Sequence, residues 1–279
     1  MITFEKQIVL LEALARFKYL TTKQLQLIFG LKSNSYTNTI IRNLKSRKHP
    51  LIKSIEFGII PWIGRLAKVH FLSQSGVRFL IQELGYSEDW IQYPKNRNSF
   101  FQRDYYHRIA TIDFNISFQK WLASNNYLFT LFYPYFNRSK GSNYKRSMTS
   151  VSEWNKWVEP DWVGIYTAHN KSHIFLFEQH NGKDKQRAIR QMINHCYFLA
   201  KGTYSDHHHL KTATKIYYVF EFDSCKLAVM EEFNNHSWLM HFKDYFLFKS
   251  QQELAIHFNH NWHKPAWQIE SFLFTNQHE

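Results

Sequence analysis

A chain of 279 residues that is 44% apolar and 18% aromatic can form two ordinary domains or one large one, with a substantial core. Charged residues make up 20%, which excludes global disorder, and no stretch approaches the roughly 20 apolar residues that span a bilayer. The net charge of +13 is uneven: residues 1–150 hold 22 Lys/Arg against 8 Asp/Glu, and residues 151–279 hold 13 against 14, so a polyanion-binding surface is expected in the N-terminal half.

Residues 4–18 place Phe4, Ile8, Leu11, Leu14, Ala15 and Lys18 at helical spacing. Thr21 and Gln24 fit a capping box, and the helix they open over Lys23–Phe29 ends at Gly30, a residue suited to a left-handed cap. Ser33, Asn34 or Ser35 then caps a third helix reaching about Arg47. After His49-Pro50, the alternating runs Leu51–Phe57 and Ala67–Leu72 flank Gly58, Pro61 and Gly64, a β-hairpin. Helix, short helix, turn, helix and then a hairpin is the plan of a winged helix-turn-helix. Ser73-Gln74-Ser75-Gly76 opens a further helix through Leu84. The domain is expected over residues 1–90, with a polar and aromatic linker over 91–102.

On the third helix, Ile40, Ile41 and Leu44 are expected to face the core. Tyr36, Asn38, Thr39, Arg42, Asn43, Lys45 and Arg47 are left for nucleic acid. Asn and Arg can pair with base edges, whereas Lys, Tyr and Thr suit phosphates. Arg65 and Lys68 on the hairpin are candidates for a groove or backbone contact.

The second domain, 103–279, opens with a long helix from Arg103 to about Asn125 and an aromatic strand over Tyr127–Tyr135. Residues 137–152 form a polar loop whose Lys140, Lys145 and Arg146 are expected to follow a DNA strand electrostatically. Strands follow at Trp162–Tyr166 and His173–Glu178, then a helix from about Lys183 to Lys201 and a strand at Lys215–Phe222. This α-β-β-β-α-β order is the core of restriction-endonuclease-like domains, and the fold class is α+β. Residues 225–279 are aromatic and His-rich, expected as a helix, short strands and a tail.

Asp161, after Pro160, begins one strand, and Glu178 ends the next. If the two pair as a hairpin, both carboxylates meet at one end of the sheet. Mg²⁺ or Mn²⁺ prefers such oxygen ligands, together with waters and phosphate oxygens. His180 is a candidate ligand or acid/base, since imidazole titrates near neutral pH. Lys183 and Lys185 are candidates for a catalytic cation.

Together the stretches LLEALARFKYLTTKQLQLIFG, VHFLSQSGVRFL, HRIATIDFNISFQKWL, EPDWVGIY, HIFLFEQHNG and NHCYFL resemble the plasmid replication–relaxation family, which includes the MobC-type conjugative relaxases. The resemblance spans roughly residues 5–200 and rests on the order of all six stretches. It implies a winged helix joined to a PD-(D/E)xK-like nuclease domain that nicks one strand at a plasmid transfer origin with Mg²⁺ or Mn²⁺. By position, Asp161 and Glu178 are implied as the metal-binding acids. The motif's lysine is replaced by His180. The implied partners are origin DNA, duplex and single-stranded, and a type IV coupling protein or other mobilisation proteins. The alternative is a catalytically inactive DNA-binding replication or mobilisation accessory factor.

A tyrosine-relaxase mechanism fits poorly, because His207-His208-His209 lacks a hydrophobic middle residue and Tyr105-Tyr106 lies on a helix. No phosphate-binding glycine loop is present. Two cysteines, Cys196 and Cys225, make neither a disulfide framework nor a zinc site, and the N-terminus lacks the apolar region of a signal peptide. A cytoplasmic location without membrane insertion is therefore expected.

Overall fold

A computed structural model describes residues 4–30, 33–61, 64–94, 104–136, 147–210 and 214–270. It is mixed α+β and divides into two compact units, Met1–Ile116 and Ser117–Glu279. The expected linker, 91–102, falls largely outside the described residues. No helix among the described residues is long and apolar enough to cross a membrane.

In the first unit, α1 (Phe4–Phe17) buries Leu10, Leu11, Leu14 and Ala15 at helical spacing. It is followed by β1 (Leu20–Thr21) and α2 (Thr22–Phe29). Both halves of the Thr21/Gln24 capping box form, and Gly30 closes α2 at φ 59°. Ser33 caps α3 (Asn34–Lys45), whose buried side chains are Thr37, Ile40, Ile41 and Leu44. Strands β2 (Ile52–Ile55) and β5 (Val69–Leu72) pair antiparallel, and β1 joins the far side of β5. Between them, β3 (Ile59–Ile60) and β4 (Gly64–Arg65) make a separate two-stranded ribbon. Helix α4 (Gln74–Gln82) is capped by Ser73, and its first turn approaches Leu51 so closely that a Cβ on Gly76 would lie 2.0 Å from the Leu51 carbonyl oxygen. Helix α5 (Tyr105–Ser124) contains the boundary between the units.

In the second unit, a seven-stranded sheet has the order β14-β13-β12-β11-β10-β9-β6. Its strands are β6 (Leu128–Pro134), β9 (Trp162–Ala168), β10 (Lys171–His180), β11 (Thr214–Phe220), β12 (Phe246–Ser250), β13 (Trp262–His263) and β14 (Ile269–Glu270). A hairpin of β7 (Val151–Glu153) and β8 (Lys156–Val158) stands between β6 and β9 in sequence. This corrects the expected polar loop 137–152 at its C-terminal end, since Val151 is buried and paired with Val158. Residues 137–146 of that loop, with Lys140, Lys145 and Arg146, lie outside the described residues.

The helices are α6 (Lys185–Ala200), α7 (Thr203–His207), α8 (Asp223–Asn235), α9 (Ser237–Met240) and α10 (Gln251–Ile256). Strand alternation gives the sheet two apolar faces. One carries Trp162, Phe175 and Tyr217, with Phe118 of α5 packed 5.0 Å from Trp162 and 4.7 Å from Phe175. The other carries Val163, Leu176, Ile216 and Phe248 beneath Ala188 and Met192 of α6 and Val229 and Phe233 of α8. The C-terminal region is thus no appendage: β12 pairs parallel to β11, and β13 and β14 extend the same sheet.

Candidate functional site

Strands β9 and β10 are joined by a two-residue turn at His169 and Asn170, which have φ of 49° and 60°. Two left-handed residues match a type I′ turn, whose twist suits a tight hairpin and fixes its register. Trp162 lies opposite Phe177 as the last registered pair, and Asp161, the residue just before β9, comes beside Glu178 through side-chain hydrogen bonds. Both side chains therefore project from the sheet face covered by α6. On the other side of β10, Glu178 is paired with Tyr218 and His180 with Phe220.

The two ends are tied by side-chain bonds to the facing backbone. Asp161 Oδ2 accepts the Gln179 N–H at 2.6 Å, and the Glu178 carboxyl accepts the Asp161 N–H. Glu178 is 2% exposed and Asp161 9% exposed. Burial, then the negative charge of Asp161, drives the Glu178 carboxyl well above the usual carboxylate range. A hydrogen bond from Gln191, the Asp161 N–H and the positive charge of Arg187 oppose that shift. Glu178 Oε1 also meets His195 Nε2 at 2.7 Å, and His195 Nδ1 meets the Tyr204 hydroxyl at 2.7 Å. Burial pushes His195 down to about 3, so the imidazole is neutral.

His180 is buried on the same strand, and its Nε2 has no hydrogen-bond partner. Burial and the Arg187 charge lower its pKa against a hydrogen bond to the Asp184 backbone and the charges of Asp184 and Asp161. The Tyr218 hydroxyl, next to Glu178, is likewise buried and unpartnered. The two candidate lysines turn elsewhere. Lys185 pairs with Glu232 at 3.0 Å, and Lys183 lies over the Phe222 ring at 5.4 Å. Arg187 is the cation whose field reaches both Glu178 and His180.

The acid pair fits a hard divalent ion in chemistry. Mg²⁺ keeps several waters and takes one or two carboxylates from the protein, and an ion between the acids would relieve the repulsion that raises Glu178. The unpartnered His180 Nε2 and Tyr218 hydroxyl leave polar capacity beside them. Among the described residues no group of three or more His, Cys, Asp or Glu side chains is arranged to hold a metal ion, so His180 does not complete a three-ligand set.

Sequence reasoning missed Gln191, His195 and Tyr204 and passed over Arg187. Arg187, Gln191 and His195 recur every four residues on α6, so they form one stripe along the helix. A histidine within the otherwise apolar buried face of α6 was the available signal.

In the first unit, Asn38, Arg42 and Lys45 lie at i, i+4 and i+7 on the exposed side of α3, and Asn43 is exposed beside them. Lys45 Nζ donates to Ser54 Oγ at 3.2 Å, and Thr22 Oγ1 donates to Asn38 Oδ1 at 3.3 Å. Thr39 turns its hydroxyl to the Ser35 carbonyl. Tyr36 is half-buried beneath Lys6, and Arg47 donates to Gln7 at 2.6 Å and lies over Phe79. Arg65 and Lys68 both reach Glu56, each at 3.3 Å, which offsets part of their charge.

Comparison with protein-family models, curated proteins and solved structures gives no match.

Proposed function

We propose that the protein is a plasmid-mobilisation relaxase. Its N-terminal unit acts as a winged helix that binds duplex DNA at a transfer origin. Its second unit is a PD-(D/E)xK-like nuclease domain that nicks one strand. The observation that carries this reading is the pair of buried carboxylates, Asp161 just before β9 and Glu178 near the end of β10, brought together by the β9–β10 hairpin.

Asp161 and Glu178 would hold Mg²⁺ or Mn²⁺. Bound there, the ion supplies polarisation of the phosphate and activation of water. His180 exchanges a proton at its unpartnered Nε2, and Arg187 supplies positive charge that the two turned-away lysines do not. The exposed Asn38, Arg42 and Lys45 stripe is the support for duplex binding, and coupling or mobilisation proteins are further partners of this reading. The test is relaxation of supercoiled origin plasmid with Mg²⁺ or Mn²⁺. Asp161→Asn and Glu178→Gln are each expected to lose at least about 100-fold in rate, the scale on which removal of a charge-stabilising group acts. Wild-type rates in both variants overturn the mechanism.

A second reading, a DNA-binding accessory factor with an inactive nuclease fold, is favoured by one observation. Glu178 Oε1 is already engaged by His195, and no lysine stands at the motif position. Calorimetric titration with Mn²⁺ separates the readings, because the inactive fold shows no saturable binding that depends on Asp161.

A further inference from the structure

The buried line Tyr204–His195–Glu178 carries an inference that rests on the metal-site reading above. All three side chains are essentially without solvent contact, and they are linked by two hydrogen bonds of 2.7 Å each. Neutral imidazole has one N–H and one lone pair, so the line admits only two proton arrangements. In one, Glu178 donates to Nε2. Nδ1–H then points at the phenol oxygen, and the phenolic hydrogen is left buried without an acceptor. In the other, Tyr204 donates to Nδ1, and Nε2–H donates to Glu178 Oε1. Only the second is open to the ionised Glu178 that would ligate a cation, and only it gives the phenolic hydrogen an acceptor. An unsatisfied buried donor costs about 1–3 kcal/mol, which selects the second arrangement.

We infer that His195 and Tyr204 are positioning residues, which hold Glu178 Oε1 as an acceptor and so aim the rest of the carboxylate, beside Asp161, at a divalent cation. Tyr204 fixes the tautomer, the tautomer fixes the hydrogen bond, and the hydrogen bond fixes the rotation of the carboxylate. Strand β10 alone sets only where the Glu178 side chain starts. Gln191, one turn before His195 on α6, supplies a second hydrogen bond to the same carboxyl. Hydrogen-bonded supports of ligating groups commonly change metal affinity by about 10–100-fold when removed.

The test is calorimetric Mn²⁺ titration of the full chain without DNA, alongside a thermal melt of each variant. Tyr204→Phe, which keeps the ring and removes only the hydroxyl, is expected to weaken Mn²⁺ binding about 10-fold. His195→Leu is expected to weaken it up to about 100-fold, and His195→Gln, whose amide can still donate to Glu178, to recover most of that loss. Tyr204→Phe keeps the test open where His195→Leu does not fold. If Asp161→Asn abolishes binding while Tyr204→Phe and His195→Leu bind as tightly as wild type, the positioning role is overturned and the metal site stands. If the wild-type chain binds no Mn²⁺ saturably, both readings are overturned.

Discussion

Two histidines, one in each unit, are buried to the same degree and differ in what they hold. His70 on β5 is 1% exposed and His195 on α6 is 0% exposed. Both are neutral, pushed down to about 4 and about 3 respectively, with burial the first cause in each. His70 is bonded by two hydroxyls, Thr22 Oγ1 at 3.1 Å and Ser54 Oγ at 2.8 Å, and through them it reaches Asn38 and Lys45 on the exposed side of α3. His195 is bonded by a phenol and a carboxyl, both fully enclosed. The first network pins a helix to a sheet and ends at the surface. The second ends on an acid beside another acid, so burial and a depressed pKa alone do not mark function; the partner does.

The largest expected difference is in stability. His195→Leu leaves the buried Tyr204 phenol without its partner and removes one of the hydrogen bonds to the Glu178 carboxyl, and is expected to cost about 2–3 kcal/mol. His70→Leu leaves two half-buried hydroxyls that can turn to water, and about 1 kcal/mol is expected. Urea unfolding of the two variants measures this; equal losses break the distinction.

The next difference is in pH dependence. Both imidazoles titrate lower in the folded chain than their ordinary 6.5, so the unfolded chain takes up protons first. Their contribution is complete above pH 6.5 and is lost as pH falls, down to about 4 for His70 and about 3 for His195. Each removes about 1.4 kcal/mol per pH unit while its unfolded form alone is protonated. Glu178 has the opposite sign. Its folded pKa is raised, so stability is lost as pH rises from 4.5, where the unfolded carboxyl ionises. Metal-free Glu178→Gln is therefore expected to melt above wild type at pH 7 and level with it below pH 4. Melts that differ equally at both pH values contradict this assignment.

Much of this was legible because local chemistry determined it. Thr21 with Gln24, Gly30 and Ser33 mark helix ends by satisfying backbone groups, and each sits where its residue type demands. The Asp161–Glu178 juxtaposition followed from strand ends and pairing alone. The hairpin β7–β8 was not legible, because Trp154 takes its turn at φ 54°, a conformation usually left to Gly or Asn. Strands β13 and β14, of two residues each, are too short to show alternation. His195 sits within the apolar run of α6 and gives no sign of its partner, which lies 17 residues away on another element. The direction of Lys183 and Lys185 depends on Phe222 and Glu232, distant residues that a local reading does not bring near.

The smallest expected effect on stability lies at the surface end of the His70 network, and there the test is binding. Arg42→Ala and Lys45→Ala remove exposed cations, so unfolding free energies are expected to stay within about 0.5 kcal/mol of wild type. If these side chains meet phosphates, each substitution weakens duplex affinity and lowers the slope of log K against log salt by about one. Lys45 is held by Ser54, which His70 holds in turn, so its ammonium is oriented in the free chain. Ser54→Ala is then expected to weaken duplex binding less than Lys45→Ala and to leave the salt slope unchanged, since it removes orientation and no charge. Unchanged affinity in Arg42→Ala and Lys45→Ala removes the exposed side of α3 as a nucleic-acid surface. A salt slope altered by Ser54→Ala shows that the hydroxyl does more than orient the lysine.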